Sequence, residues 1–145
     1  MESRIEAALE RHHKGFNCSQ SVACTYCDLL GYKEEDVFVL SEALGFGMGN
    51  MQGTCGALSG AMLLLGMMNS KGLGQTASKR SSYALGRQLG EAFRAKNGAT
   101  ICRELKGVET GKVLRSCDGC VEDACRLFEE AWAAREAEQE QKLDA

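Results

Sequence analysis

The sequence contains no proline. Proline is the strongest helix breaker, so its absence leaves every segment free to be helical and leaves glycine, present 17 times, as the only strong punctuation. No stretch alternates polar and apolar residues with period two, and no internal repeat is present, so nothing supports strands or a repeat array. A basic stripe is missing as well. With 17 Lys+Arg against 20 Asp+Glu the net charge is -3, and no nucleic-acid partner is expected. The N-terminal Met1-Glu2-Ser3-Arg4-Ile5-Glu6 has no apolar stretch of the signal-peptide kind. The longest apolar segment is too short for the roughly 20 residues a membrane span needs. A cytoplasmic location follows as the expectation.

What is present is an ordinary globular composition. The chain has 145 residues, 44% hydrophobic and 26% charged, which predicts one domain over 1–145 with a real core. Ser3 followed by Glu6 has the form of a capping box, and Ile5, Ala8, Leu9 and His12 recur at helical spacing, predicting a helix over 4–14. Asn17 with Gln20 repeats the cap signal for a second helix, whose stop is Gly31. A third is expected from Glu34 to Leu44, with acidic residues in its first turn and Gly45 as its stop. Residues 45–53 are too glycine-rich for a regular element and predict a loop of tight turns. From Cys55 to Met68 the only polar side chain is Ser59, so this helix belongs at the centre of the fold. Another helix is predicted over 76–96, ended by Asn97-Gly98. A short turn follows at Cys102-Arg103-Glu104-Leu105, and a last helix runs from Cys117 past Trp132. Residues from about 133 to 145 read as a polar, frayed tail. The expectation is an all-α, single-domain bundle of about five to six helices around a central apolar one.

Cysteine carries the chemistry. Eight in 145 residues falls below the roughly 8–10% of a secreted disulfide scaffold, and in a cytoplasmic chain such richness points to metal or redox chemistry. Cys18, Cys55, Cys102 and Cys117 sit at predicted helix starts. There the free N–H groups and the positive end of the dipole favour a thiolate, or an anionic group held by thiolates such as an iron–sulfur cluster. Cys24, Cys27, Cys120 and Cys125 fall inside helices, where a free cysteine is most often a small buried hydrophobe. Cys24/Cys27 and Cys117/Cys120 each form C-x-x-C. The span between the pairs far exceeds the roughly 15–20 residues of a zinc ribbon, so zinc ranks below iron–sulfur. No strand precedes either motif, as a thioredoxin-type site would want, and neither is followed by His, which excludes c-type haem.

The remaining candidates are weaker. His12 and His13 end the first helix, where positive charge suits the dipole, and a capping or exposed role is expected over catalysis. Gly56 and Gly60 lie one turn apart beside Cys55 and mean close approach, either of another helix or of a cofactor. Met48, Met51, Met62, Met67 and Met68 read as core filling.

Cys55-Gly56-Ala57-Leu58-Ser59-Gly60 resembles the core signature of the C-GCAxxG-C-C family of redox-active proteins. Phe16-Asn17-Cys18-Ser19-Gln20 is similar to that family's first cysteine segment and Gly45-Phe46-Gly47-Met48-Gly49 to its glycine loop. Cys102-Arg103-Glu104-Leu105 is similar to the third cysteine segment, and Cys117 with Val121, Asp123 and Ala124 to the fourth. The resemblance spans roughly 14–130, and its four cysteines are the four at predicted helix starts. It implies a helical redox domain, often encoded near transporters. A similar domain occurs in split-Soret cytochromes c, where it is associated with an iron–sulfur site; the haem-binding part is missing here.

Three functions follow in order. The first is an electron-transfer protein in which Cys18, Cys55, Cys102 and Cys117 hold a [2Fe–2S] cluster, with Gly56 and Gly60 beside it and an unidentified electron partner. The second is a thiol–disulfide protein with Cys55 as attacking thiolate and a neighbouring cysteine resolving it. The third is a thiolate metal-binding or sensing module linked to transport, with zinc or another thiophilic ion. Hydrolysis has no support, because no general base or carboxylate pair can be matched to it. The apolar helix and the methionines are compatible with a homodimer.

Overall fold

A computed structural model describes residues 1–144, and the described residues are helical without any strand. Helix α1 (Ile5–His13) leads into α2 (Cys18–Tyr26), which continues as a 3-10 turn (Cys27–Leu30) stopped by Gly31 at φ 83°. Helix α3 (Glu34–Ser41) passes through a further 3-10 turn into the single turn α4 (Gly45–Met48). Helix α5 (Gly56–Asn69) is the central element, followed by α6 (Lys79–Asn97), the short α7 (Cys102–Lys106) and the long α8 (Cys117–Asp144).

The all-α expectation holds; the described residues form eight α elements where about five to six were expected, the turn α4 standing in the stretch expected to be a loop, and the other differences lie at element ends. Asn17 caps α2 in a reciprocal box, its side chain accepting from the Gln20 N–H while the Gln20 side chain accepts from its own N–H. Ser3 does not cap α1. The N-cap is Arg4, and the Ser3 hydroxyl donates to Glu129 of α8, a tertiary contact that wins over the local box. Gly45 is extended rather than left-handed, so α3 ends in its 3-10 turn and not at a glycine stop. The expected frayed tail is helical through Asp144; Arg135 donates to the Met68 carbonyl and to Asn69, tying α8 to the end of α5.

Helix α5 packs against α2, α6 and α8, which explains why it is apolar on nearly every side. Leu58, Leu64 and Leu65 meet Val22 and Tyr26 of α2, Phe93 of α6, and Val121 and Phe128 of α8. Each such side chain contributes about 1.5–3 kcal/mol when fully buried. The α2–α5 contact is close because Gly60 faces backbone: a Cβ there would stand 2.6 Å from the Ser19 carbonyl oxygen. Helix α8 is fixed at its start by Asp123, buried and gripped by Arg115, Lys96 and Asn97. That grip sets the register in which Cys117 and Cys120 face α1, α2 and α5.

Candidate functional site

Five cysteines line one cavity of about 190 Å³ at the end of the bundle: Cys18, Cys55, Cys102, Cys117 and Cys120. His12, Asn17, Phe46, Gly56, Leu105, Lys106 and Arg115 complete the wall. The groove between α6 and α8 is larger, about 270 Å³, but it holds no nucleophile and is walled by residues such as Leu85, Leu127 and Ala131.

Each sulfur arrives by a local device. Cys18 is the first residue of α2, directly after its cap, and Cys117 is the first of α8. Cys55 and Cys102 are brought side by side by a backbone strap. The Cys55 N–H donates to the Thr100 carbonyl at 2.8 Å, and the Cys102 N–H to the Gly53 carbonyl at 3.0 Å, around an isolated antiparallel bridge between Thr54 and Ile101. The α4 turn closes over this strap in a left-handed conformation, Phe46 at φ 55° and Gly47 at φ 57°. Gly47 has no alternative, because a Cβ there would lie 2.4 Å from the Cys102 Cβ.

The thiols fall into pairs. Cys18 and Cys117, both partly exposed, line the cavity together. The Cys117 thiol is held down to about 6, first by its contact with Cys18 and then by the Lys106 cation, against the cost of burial. Cys18 moves the other way, raised first by its bond to Cys117 and then by burial. Cys55 pairs with Cys120: its thiol is lowered by the Cys120 hydrogen bond and by the N–H groups of Leu58 and Ala57 at the α5 start, while Cys120 is raised. Cys102 has no such partner and is raised by burial. Cys18 and Cys117 are partly exposed, whereas Cys55 (5% exposed), Cys102 (6%) and Cys120 (2%) are enclosed, so the first pair meets an incoming molecule.

Sequence reasoning missed several members of the site, among them Cys120, His12 and Lys106. Cys120 was grouped with the buried hydrophobes, yet it stands three residues after Cys117 on one helix, which puts both on one side. His12, read as a capping residue, lines the cavity. Its Nδ1 lies 2.5 Å from Asp118 Oδ1, and its Nε2 lies 3.6 Å from Cys18 Sγ. Of the candidates at Gly56 and Gly60, the first lines the cavity and the second packs against α2. Cys24 and Cys27 lie in a separate small cluster with Ala23 and Val37, and Cys125 is in the main core. Burial pushes the Cys24 and Cys125 thiols each up to about 12.

The set can do thiol chemistry at its mouth. As a metal centre it is less well arranged, since among the described residues no group of three or more His, Cys, Asp or Glu is placed to hold an ion. Among the described residues no helix is long and apolar enough to cross a membrane. A family model described as "Putative redox-active protein (C_GCAxxG_C_C)" matches residues 16–131. No curated protein and no solved structure matches the chain.

Proposed function

Since the chain belongs to the C_GCAxxG_C_C family of redox-active proteins, we propose that it is a dithiol–disulfide redox protein whose working pair is Cys117 and Cys18. The observation that supports this most is that Cys18 and Cys117, the two partly exposed thiols of the cavity, share its wall with Lys106, with the Cys117 thiol held down to about 6. At neutral pH such a sulfur is thiolate without any outside base.

Cys117 attacks one sulfur of a substrate disulfide. The substrate S–S bond breaks, its first half leaves as a thiolate that takes a proton from solvent, and a mixed disulfide to Cys117 remains. Cys18 then loses its proton and attacks the Cys117 sulfur, expelling the second half. Two electrons have passed from the dithiol to the substrate, and Cys18–Cys117 is now a disulfide. Lys106, hydrogen-bonded to Cys117 and set 5.0 Å above the Phe46 ring, supplies a cation at the mouth where thiolates come and go. The deeper Cys55–Cys120 pair is a second dithiol on the same cavity. This reading moves the attacking role from Cys55 to Cys117, because Cys55 is enclosed.

The [2Fe–2S] reading shares the cavity, and the helix starts and Lys106 suit an anionic group. Its four expected ligands, Cys18, Cys55, Cys102 and Cys117, all line this cavity, with Cys120 as a fifth sulfur. Exchange is preferred because among the described residues no group of three or more His, Cys, Asp or Glu is placed to hold an ion.

The test is anaerobic purification with iron, sulfide and zinc analysis, followed by reaction with less than one equivalent of the aryl disulfide dithiobis(nitrobenzoate). The expected result is metal-free protein that releases both coloured halves of each reagent molecule and forms a Cys18–Cys117 disulfide, seen by peptide mass spectrometry. Iron with matching sulfide, or zinc, at stoichiometric levels overturns the proposal.

A further inference from the structure

Resolution by Cys18 poses a chemical problem that the attack by Cys117 does not. Cys18 is the protonated member of the pair, half-buried, and its proton must leave before its sulfur can act. While Cys117 is a thiolate, it accepts that hydrogen bond. Once Cys117 is in the mixed disulfide, it carries no charge and the acceptor is gone.

The only imidazole in reach of Cys18 is His12, with Nε2 at 3.6 Å from Sγ. The other ring nitrogen, Nδ1, is committed to Asp118 Oδ1 at 2.5 Å. An ionised carboxylate only accepts, so Nδ1 carries the ring proton and Nε2 presents its lone pair to Cys18. Asp118 is itself fixed from the far side, its Oδ2 taking a 2.8 Å hydrogen bond from His13. Thiol, imidazole and carboxylate therefore stand in the order of a nucleophile, its base and the group that orients the base. They come from the start of α2, the end of α1 and the start of α8.

Resting on the dithiol reading, we infer that His12 is the proton carrier for the resolving step and that Asp118 is its positioning residue. His12 Nε2 takes the Cys18 proton as Cys18 attacks Cys117, and then passes it to the expelled substrate thiolate, or to solvent where that thiolate is as weakly basic as an aryl one. No proton or electron is left over, and His12 ends neutral. The other charged or titratable groups facing this path are Cys55, Cys102, Cys117, Cys120, Lys106 and Arg115 on the cavity wall and His13 on the far side of Asp118.

The two halves of dithiobis(nitrobenzoate) report the two steps separately, the first on attack by Cys117 and the second on resolution by Cys18. With reagent below one equivalent, His12→Gln is expected to release the first half at close to the wild-type rate and the second about 100-fold more slowly. Asp118→Asn slows the second phase about tenfold and leaves the first. His13→Gln loses the far-side bond to Asp118 without reaching Cys18, so it leaves the first phase as in wild type and slows the second less than Asp118→Asn does. Thermal unfolding of each variant confirms that it is folded. A wild-type second phase that Cys18→Ser abolishes but His12→Gln leaves unchanged overturns the proton-carrier role alone. A wild type with no second phase, or one that persists in Cys18→Ser, overturns the dithiol reading beneath it.

Discussion

Removing the Cys18 thiol should change the reactivity of Cys117 in opposite directions at low and high pH. Cys18→Ala deletes the group that is the largest cause of the depressed Cys117 thiol and leaves Lys106 in place. In the limit where Cys117 returns from about 6 to the free value of about 8.5, its thiolate fraction at pH 5 falls about 300-fold. Each thiolate that remains is more basic and attacks about 13-fold faster, for a Brønsted slope of about 0.45. The net loss at pH 5 is therefore about 20-fold. At pH 9 both proteins are largely thiolate, only the nucleophilicity difference survives, and the variant is about tenfold faster. The two profiles cross near about pH 7.4 by the same arithmetic. These figures are upper limits, because Lys106 still acts. The assay is the initial rate with dithiobis(nitrobenzoate) below one equivalent from pH 5 to 9, with the labelled sulfur located by peptide mass spectrometry. Profiles that run parallel without crossing refute the reasoning, as does a first label on Cys55.

Three further outcomes concern the frame that holds the site. Gly60→Ala places a Cβ 2.6 Å from the Ser19 carbonyl oxygen and should cost about 1–3 kcal/mol in urea denaturation. Gly66→Ala on the same helix meets nothing within 4 Å and should stabilise by up to about 1 kcal/mol, so equal effects at the two positions contradict the close-approach argument. Asp123→Asn should cost about 2 kcal/mol at pH 7, less than the 3–5 of a fully enclosed pair, because Lys96 and Arg115 remain partly solvated. Burial alone would raise the Asp123 carboxyl, but Arg115, Lys96 and Asn97 bring it below its ordinary value. Its contribution is then full above the unfolded value of about 4 and is lost as pH falls through the lower folded one. Urea midpoints between pH 7 and pH 3 should show wild type losing more stability than the variant. Arg135→Ala removes the bonds to Met68 and Asn69 and should cost about 1 kcal/mol, with faster amide exchange in α8 beyond Trp132.

The helices were legible in the sequence because their signals are local. The Asn17–Gln20 box, the Gly31 and Gly98 stops and the unbroken apolar run after Cys55 each act within a few residues of themselves. Ser3 misled because its partner, Glu129, is distant in the chain, and no local rule can see it. The same limit governs the site. Spacing marked four cysteines as helix starts, but that Cys55 would find Cys120 rather than Cys102 depends on how α8 docks on α5. His12 looked like a dipole complement since its own helix offered nothing else; its chemistry comes from Asp118, on the last helix. Only the i, i+3 spacing of Cys117 and Cys120 was visible beforehand.

The order in which these parts leave the ribosome adds a consequence. His12 and Cys18 emerge early, whereas Cys117, Asp118 and Cys120 belong to the last helix. The hydrogen bonds that make Cys117 reactive span nearly the whole chain, so they can form only once α8 has docked. Until then every sulfur is an ordinary thiol, mostly protonated at neutral pH and slow to cross-link. The nascent protein thus carries eight cysteines through synthesis with little risk of wrong pairing, and chemical reactivity arrives together with the finished fold. Thiolate reactivity becomes a report on foldedness: a chain stalled before α8 docks should react with disulfides no faster than a free cysteine.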